Sequence, residues 1–189
     1  TWSNGGAFVL TTANDDLDEF AEVLKRKFPG RVFAQGHSRN AWDGDPPSIL
    51  ERFKQAPNNI LVGSKSFWEG VDVVGEHLRL VVITKLPFPN FKDPIVKARE
   101  RLAGESAFKR VQMVDMLTDL RQGAGRLIRS KSDRGVVAIL DSRVWEKGYG
   151  RQVRAILRFP VTEHLKECED YLPKLEPYFR RLAQRATNG

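Results

Sequence analysis

Leu78–Thr84 reads LRLVVIT, a near-continuous apolar run of strand length. A strand with one solvated face alternates apolar and polar residues, whereas one buried on both faces of a parallel sheet does not. Asn59–Gly63 (NILVG) and Val136–Asp141 (VVAILD) have the same character, and Ala7–Thr11 (AFVLT) is a short apolar run ending in hydroxyls. With Arg31–Gln35 these make five predicted strands. Helical stretches separate them. Leu17, Phe20, Ala21, Leu24 and Phe28 share one face at helical spacing. Asp15, Asp16, Asp18 and Glu19 crowd the start of that helix and Lys25, Arg26 and Lys27 its end, which complements the helix dipole. Asn14 offers an N-cap and Pro29–Gly30 a stop.

Asp45 followed by Pro46 and Pro47 predicts a helix through Ser48–Gln55. Further helices are expected from about Pro94 to Leu102 and from Ala107 to about Leu120. The latter carries Val111, Val114, Leu117 and Leu120 at spacings of three, and Arg121–Arg129 either continues it or begins a new helix. Strands alternating with helices predict a three-layer α/β domain around a mainly parallel sheet. A charged, mostly helical tail follows from about Arg151 to Gly189. The whole chain, 1–189, reads as one domain. In such sheets ligands gather at the carboxyl ends of the strands, so the segments after Thr11, Gly63, Thr84 and Leu140 are the first places to look.

The 189 residues suit one domain of roughly 100–200 residues, and 41% apolar content excludes gross disorder. There is no apolar run of about 18 residues, so no transmembrane helix and no membrane partner are expected. The opening TWSNGG lacks the layout of a secretory signal, and the absence of an initiator Met fits a fragment of a longer protein. Lys and Arg total 31 against 24 acids, a net charge of +7 that suits a polyanionic partner and is also common in ordinary soluble proteins. Cys168 stands alone, so the chain has no internal disulfide or cysteine-ligated cluster, and a cytoplasmic location is expected. His37, His77 and His164 are scattered and predict no metal site.

Gln122–Arg129 (QGAGRLIR) is the most informative segment. On a helix Gln122, Arg126 and Arg129 share one side, with the small residues Gly123, Ala124 and Gly125 between. Two guanidiniums and an amide on one face suit a phosphate-bearing ligand, because the planar arginine fork pairs with two phosphate oxygens. A solvated basic helix end, helped by Lys131 and Arg134, is the plainer alternative. In Gly63–Pro89, a loop rich in small donors follows a strand, and Glu69, Gly70 and Asp72 set two carboxylates around a glycine before the next strand. Such a turn can expose backbone N–H groups to a ligand. Phe67 and Trp68 suit either a core or base stacking. Thr11 and Thr12 with Asn14 could meet a phosphate at a helix start, but Asp15 and Asp16 argue against one at that terminus itself. The P-loop pattern, a DEAH-like acidic quartet, GxSxG, HExxH and CxxC are absent.

The segment SFWEGVDVVGEHLRLVVITKLPF resembles motif V of the superfamily-two helicases of the DinG/XPD group. QGAGRLIRSKSDRGVVAILDSR resembles their motif VI, and FVLTTAND stands in the place of motif IV. Order and spacing agree over about Ala7–Arg143, with motif IV near 8–14, motif V near 64–75 and motif VI near 122–129. WEGVDVVGE and KLPFP bring the chain nearer the bacterial DinG branch.

The resemblance implies the second RecA-like lobe of an ATP-dependent DNA helicase. ATP and Mg2+ would be held mainly by the N-terminal motor lobe of the same polypeptide, where any iron–sulfur cluster would also lie; none is expected in this chain. Gln122, Arg126 and Arg129 would face the triphosphate, with Arg129 as the arginine finger. Glu69, Gly70, Asp72, Gly125 and Arg143 would line the nucleotide edge, with Asp141 and Arg143 in a supporting role beside motif VI. Single-stranded DNA would pass near Thr11, Thr12, Ser64, Lys65, Ser66, Phe67 and Trp68, with Lys85 and Phe88 close by. Alone, such a lobe is expected to be inactive as an ATPase. A non-catalytic nucleic-acid-binding module is the alternative, and a standalone nucleotide-binding protein a weaker third, since the chain holds no phosphate-cradling glycine loop.

Overall fold

Alternate side chains of the first strand, β1 (Ala7–Leu10), go to opposite faces of the sheet. Ala7 and Val9 join one apolar cluster and Phe8 and Leu10 the other, and all four are buried. This is why AFVL carries no polar alternation. The computed structural model describes residues 6–35, 46–64, 78–127, 135–157 and 159–163. Among them β2 (Val32–Ala34), β3 (Ile60–Gly63), β4 (Leu80–Ile83) and β5 (Val136–Ile139) complete a five-stranded sheet of order β2-β3-β1-β4-β5. Every pairing is parallel, with Phe8 opposite Leu61 on one side and Val81 on the other.

Helix α1 (Asn14–Lys27) covers the face of Ala7 and Val9 with Leu17 and Ala21. Helices α2 (Pro46–Lys54), α4 (Met113–Gly125), α5 (Arg143–Glu146) and α6 (Gly150–Ile156) contribute to the cluster on the other face. Phe53 and Met116 are fully buried there. Deleting such a side chain typically costs about 2–5 kcal/mol. Helix α3 (Pro94–Ala103) is fixed by Asp93, whose carboxylate accepts from the N–H groups of Ile95 and Val96 at 2.7 and 3.4 Å. The predicted three-layer α/β architecture is therefore present, and the sheet is wholly parallel among the described residues.

Two expectations change, and one open alternative is decided. The N-cap of α1 is Ala13, in an extended conformation and without a side-chain cap bond, and Asn14 is already helical. The spacing of three from Val111 to Leu120 does not mark the buried face. Met113, Met116, Leu120 and Ala124 are buried, whereas Val114 is 51% exposed. A strict three-residue step falls short of a full turn and drifts around the helix, while mixed steps of three and four stay on one side. The helix of Arg121–Arg129 is a continuation of α4 that ends at Gly125. Beyond it Arg126 and Leu127 donate to carbonyls three residues back, a tightened final turn. Of the charged tail only α6 and a few following residues are described.

Candidate functional site

The predicted site residues fall into two groups set by the sheet. One lies at the end of α4. Ala124 and Gly123 face inward and are buried, so their small size serves packing of the helix onto the sheet. Gln122 and Gly125 face outward and are exposed. A Cβ at Gly125 would meet nothing within 4 Å among the described residues, so the fold itself does not require glycine there. Arg126 is half-buried at the C-cap with near-helical angles (φ −65, ψ −29), which keeps it on the side of Gln122. A groove of about 540 Å³ runs along the outer face of α4 to Gln122, lined by Val114, Leu117, Thr118, Arg121 and Ile156.

This helix end sits at the amino edge of the sheet. A Cβ on Gly135, which precedes β5, would collide with the Leu127 side chain and with the carbonyl of Arg79, which precedes β4. The second group lies at the opposite, carboxyl edge. From Gly135 to Asp141 the chain crosses the sheet, roughly 15–20 Å at ~3.3 Å per residue.

At the carboxyl edge Thr11 is fully buried, its N–H donating to Gly63 O at 2.9 Å and its hydroxyl facing the same carbonyl at 3.5 Å. Thr12 is half-buried. The N–H and hydroxyl of Ser64 both donate to Gln35 Oε1, at 3.2 and 3.0 Å. Thr84 is buried, and its hydroxyl donates to Leu10 O at 3.3 Å. Lys85 reaches across to the first turn of α1 and pairs with Asp16 at 2.7 Å. The acid that argued against a phosphate at that terminus thus holds a lysine.

Asp141 and Arg143 also lie at this edge and do not join Gln122 and Arg126. The Asp141 side chain is only 6% exposed. Its carboxylate accepts from Leu86 N–H at 2.8 Å, Arg143 N–H at 3.1 Å, Arg143 Nε at 2.8 and 3.1 Å, and Arg143 Nη2 at 2.6 Å. Burial on its own would raise its pKa. The bonds from the Arg143 side chain and from the two backbone N–H groups, with the arginine charge, outweigh burial and hold the carboxyl below the ordinary aspartate value. The Arg143 guanidinium is raised, chiefly by its bond to Asp141. It also lies over the Phe88 ring, 5.2 Å from the centroid. Phe88 packs against Phe108 (6.2 Å) and Tyr149 (5.8 Å).

Sequence reading missed this aromatic cluster, because its members come from distant segments and only the fold joins them. The LPFP signature was the available signal: two prolines leave few backbone donors to fix the loop. Lys65, Ser66, Phe67, Trp68, Glu69, Gly70, Asp72 and Arg129 lie outside the described residues. Among the described residues no group of three or more His, Cys, Asp or Glu could hold a metal ion, and no helix is long and apolar enough to cross a membrane.

Residues 1–159 match the helicase C-terminal domain family. The chain belongs to that family. As a helicase C-terminal domain it is 40% identical over 158 residues to the ATP-dependent DNA helicase YoaA of Escherichia coli K12, covering 82% of this chain and 24% of that protein. It is 37% identical over 149 residues to the 3'-5' exonuclease DinG of Bacillus subtilis 168, covering 76% of this chain and 16% of that protein. The ATP-dependent helicase DinG of Mycobacterium tuberculosis H37Rv is 38% identical over 139 residues, covering 72% of this chain and 20% of that protein. The helicase C-terminal domain thus spans a quarter or less of the length of these curated relatives. A solved XPD helicase chain superposes with a TM-score of 0.59 over 82% of this chain and 28% of that one, at 16% identity, so the likeness is one of fold.

Proposed function

We propose that this domain is the second motor lobe of an ATP-dependent DNA helicase. In this reading it supplies Arg129 and Arg126 to ATP and Mg2+ held by a first lobe of the same polypeptide, and it presents its carboxyl edge to single-stranded DNA. The observation that carries the reading is the division of α4: Leu120 and Ala124 lock it into the core, while Gln122 and Gly125 are exposed beside Arg126. Phosphoryl transfer spreads negative charge over the γ-phosphate oxygens, and a guanidinium brought across a cleft stabilises that charge. Glu69, Gly70 and Asp72 line the nucleotide edge, and Thr12, Ser64, Lys65, Ser66, Phe67 and Trp68 form the strand track, with Thr11 beneath it. Arg143 supports that edge. ATP binding closes the cleft and hydrolysis opens it, so alternating grip moves the strand.

In the two-lobed protein Arg129→Ala should lose turnover by about 10³-fold or more while retaining most ATP binding. Steady-state ATPase and binding of a fluorescent nucleotide measure both, and full turnover in that variant refutes the assignment. The isolated domain should show no appreciable ATPase. If it covers about three phosphates, its log–log salt slope for single-stranded DNA should be about −2.

A further inference from the structure

Three features at the carboxyl edge converge on one loop, the residues that leave β4 (Thr84–Pro89). Pro87 and Pro89 have no N–H to donate. Phe88 N–H turns back to Leu86 O at 2.8 Å. Leu86 N–H is taken by Asp141, at the exit of the neighbouring strand β5. Asp141 is in turn saturated by Arg143, and Arg143 covers Phe88. One carboxylate therefore ties the β4 exit, the β5 exit and the start of α5 together. Burying Asp141 is tolerable only with that full set of donors.

We infer that Asp141 and Arg143 form a latch that positions Lys85 and Phe88 on the DNA-facing edge, and that Arg143 does not contact the nucleotide. The inference rests on the helicase reading above. Its geometric basis is that Arg143 lies across the sheet from Arg126 and spends its guanidinium on Asp141, Phe88 and Tyr149. With the latch broken, the loop loses the Leu86–Asp141 bond to the β5 exit, and Lys85 and Phe88 no longer sit in fixed register for a phosphate and a base. Lys85 is held there by Asp16 and the Phe88 ring by Arg143, Phe108 and Tyr149, so a strand on this edge would take up the lysine in exchange for Asp16 and meet the part of the ring left open.

The test uses the two-lobed protein and oligothymidylate as the DNA probe. Arg143→Ala and Asp141→Asn should each raise the oligothymidylate KM of the stimulated ATPase by about five- to tenfold, with kcat at saturating DNA and the ATP KM retained. The double variant should be no worse than the worse single one, because the two residues act as a unit. General destabilisation would lower the active fraction and so kcat, leaving KM in place. If either variant does not fold, Phe88→Leu keeps the latch and removes the ring, and should still raise the DNA KM about threefold or more. A raised ATP KM with unchanged DNA KM in Arg143→Ala, additive effects, or an unaltered DNA KM in Phe88→Leu would overturn the inference. Failure of the helicase reading itself looks different: the wild-type protein would then show no DNA-stimulated ATPase at all.

Discussion

Arg126 ends the QGAGR signature and Arg143 comes soon after it, yet they meet opposite environments. At the end of α4 the inward residues are consumed by packing, and the outward ones, Gln122 and Gly125, are exposed. At the carboxyl edge the charges are consumed by one another: Lys85 holds Asp16, and Arg143 holds Asp141. The first arrangement leaves polar chemistry facing outward; the second fixes a loop. β5 separates them, because a parallel strand carries the chain from one edge of the sheet to the other.

The largest expected effect is catalytic. Arg126→Ala in the two-lobed protein should reduce kcat by about 10³-fold or more with little change in DNA affinity. A variant that instead lost DNA affinity at normal kcat would erase the distinction between the two regions. Next comes Gly150→Ala, where a Cβ would overlap the Val144 carbonyl. About 2–4 kcal/mol of stability should be lost in urea unfolding, because backbone must shift to make room. Gly125→Ala is its opposite: with no described residue within 4 Å of a Cβ there, an unchanged or slightly raised stability, by up to about 1 kcal/mol, is expected in the isolated domain. The same change should slow the two-lobed ATPase if something approaches that backbone from outside.

Between these two lies Asp141→Asn, which should cost about 1–3 kcal/mol at neutral pH by weakening a charge-assisted network. Its pH dependence follows from the lowered carboxyl. The folded value lies below the ordinary aspartate value of ~3.9, so the stabilisation is complete above that value and is lost as pH falls through the folded one. The stability gap between wild type and Asp141→Asn should therefore narrow on acidification. A constant gap down to the acid transition would show that charge contributes little to the latch.

The strands were legible as apolar runs: NILVG is buried on both faces, whereas VVAI in the last strand of the described sheet is only half-buried. Their ends moved inward by a residue or two, since hydrophobicity continues past the last paired residue, as at Leu140. Helix α1 was legible from its charge gradient and its apolar face. The orientation of α4 was not, because a spacing of three ran through both its buried and its open sides.

By itself the sequence determined the α/β alternation, the family motifs and the candidate phosphate-facing group around Gln122 and Arg126. All of these are local, carried by periodicity and by residue types within one turn or one loop. Only the tertiary structure decided that Asp141 reaches Leu86, that Lys85 reaches Asp16, and that Arg143 belongs to the edge opposite Arg126. Those contacts join residues 55 and 69 positions apart, and parallel strand order, which no local pattern encodes, is what brings them within hydrogen-bonding distance.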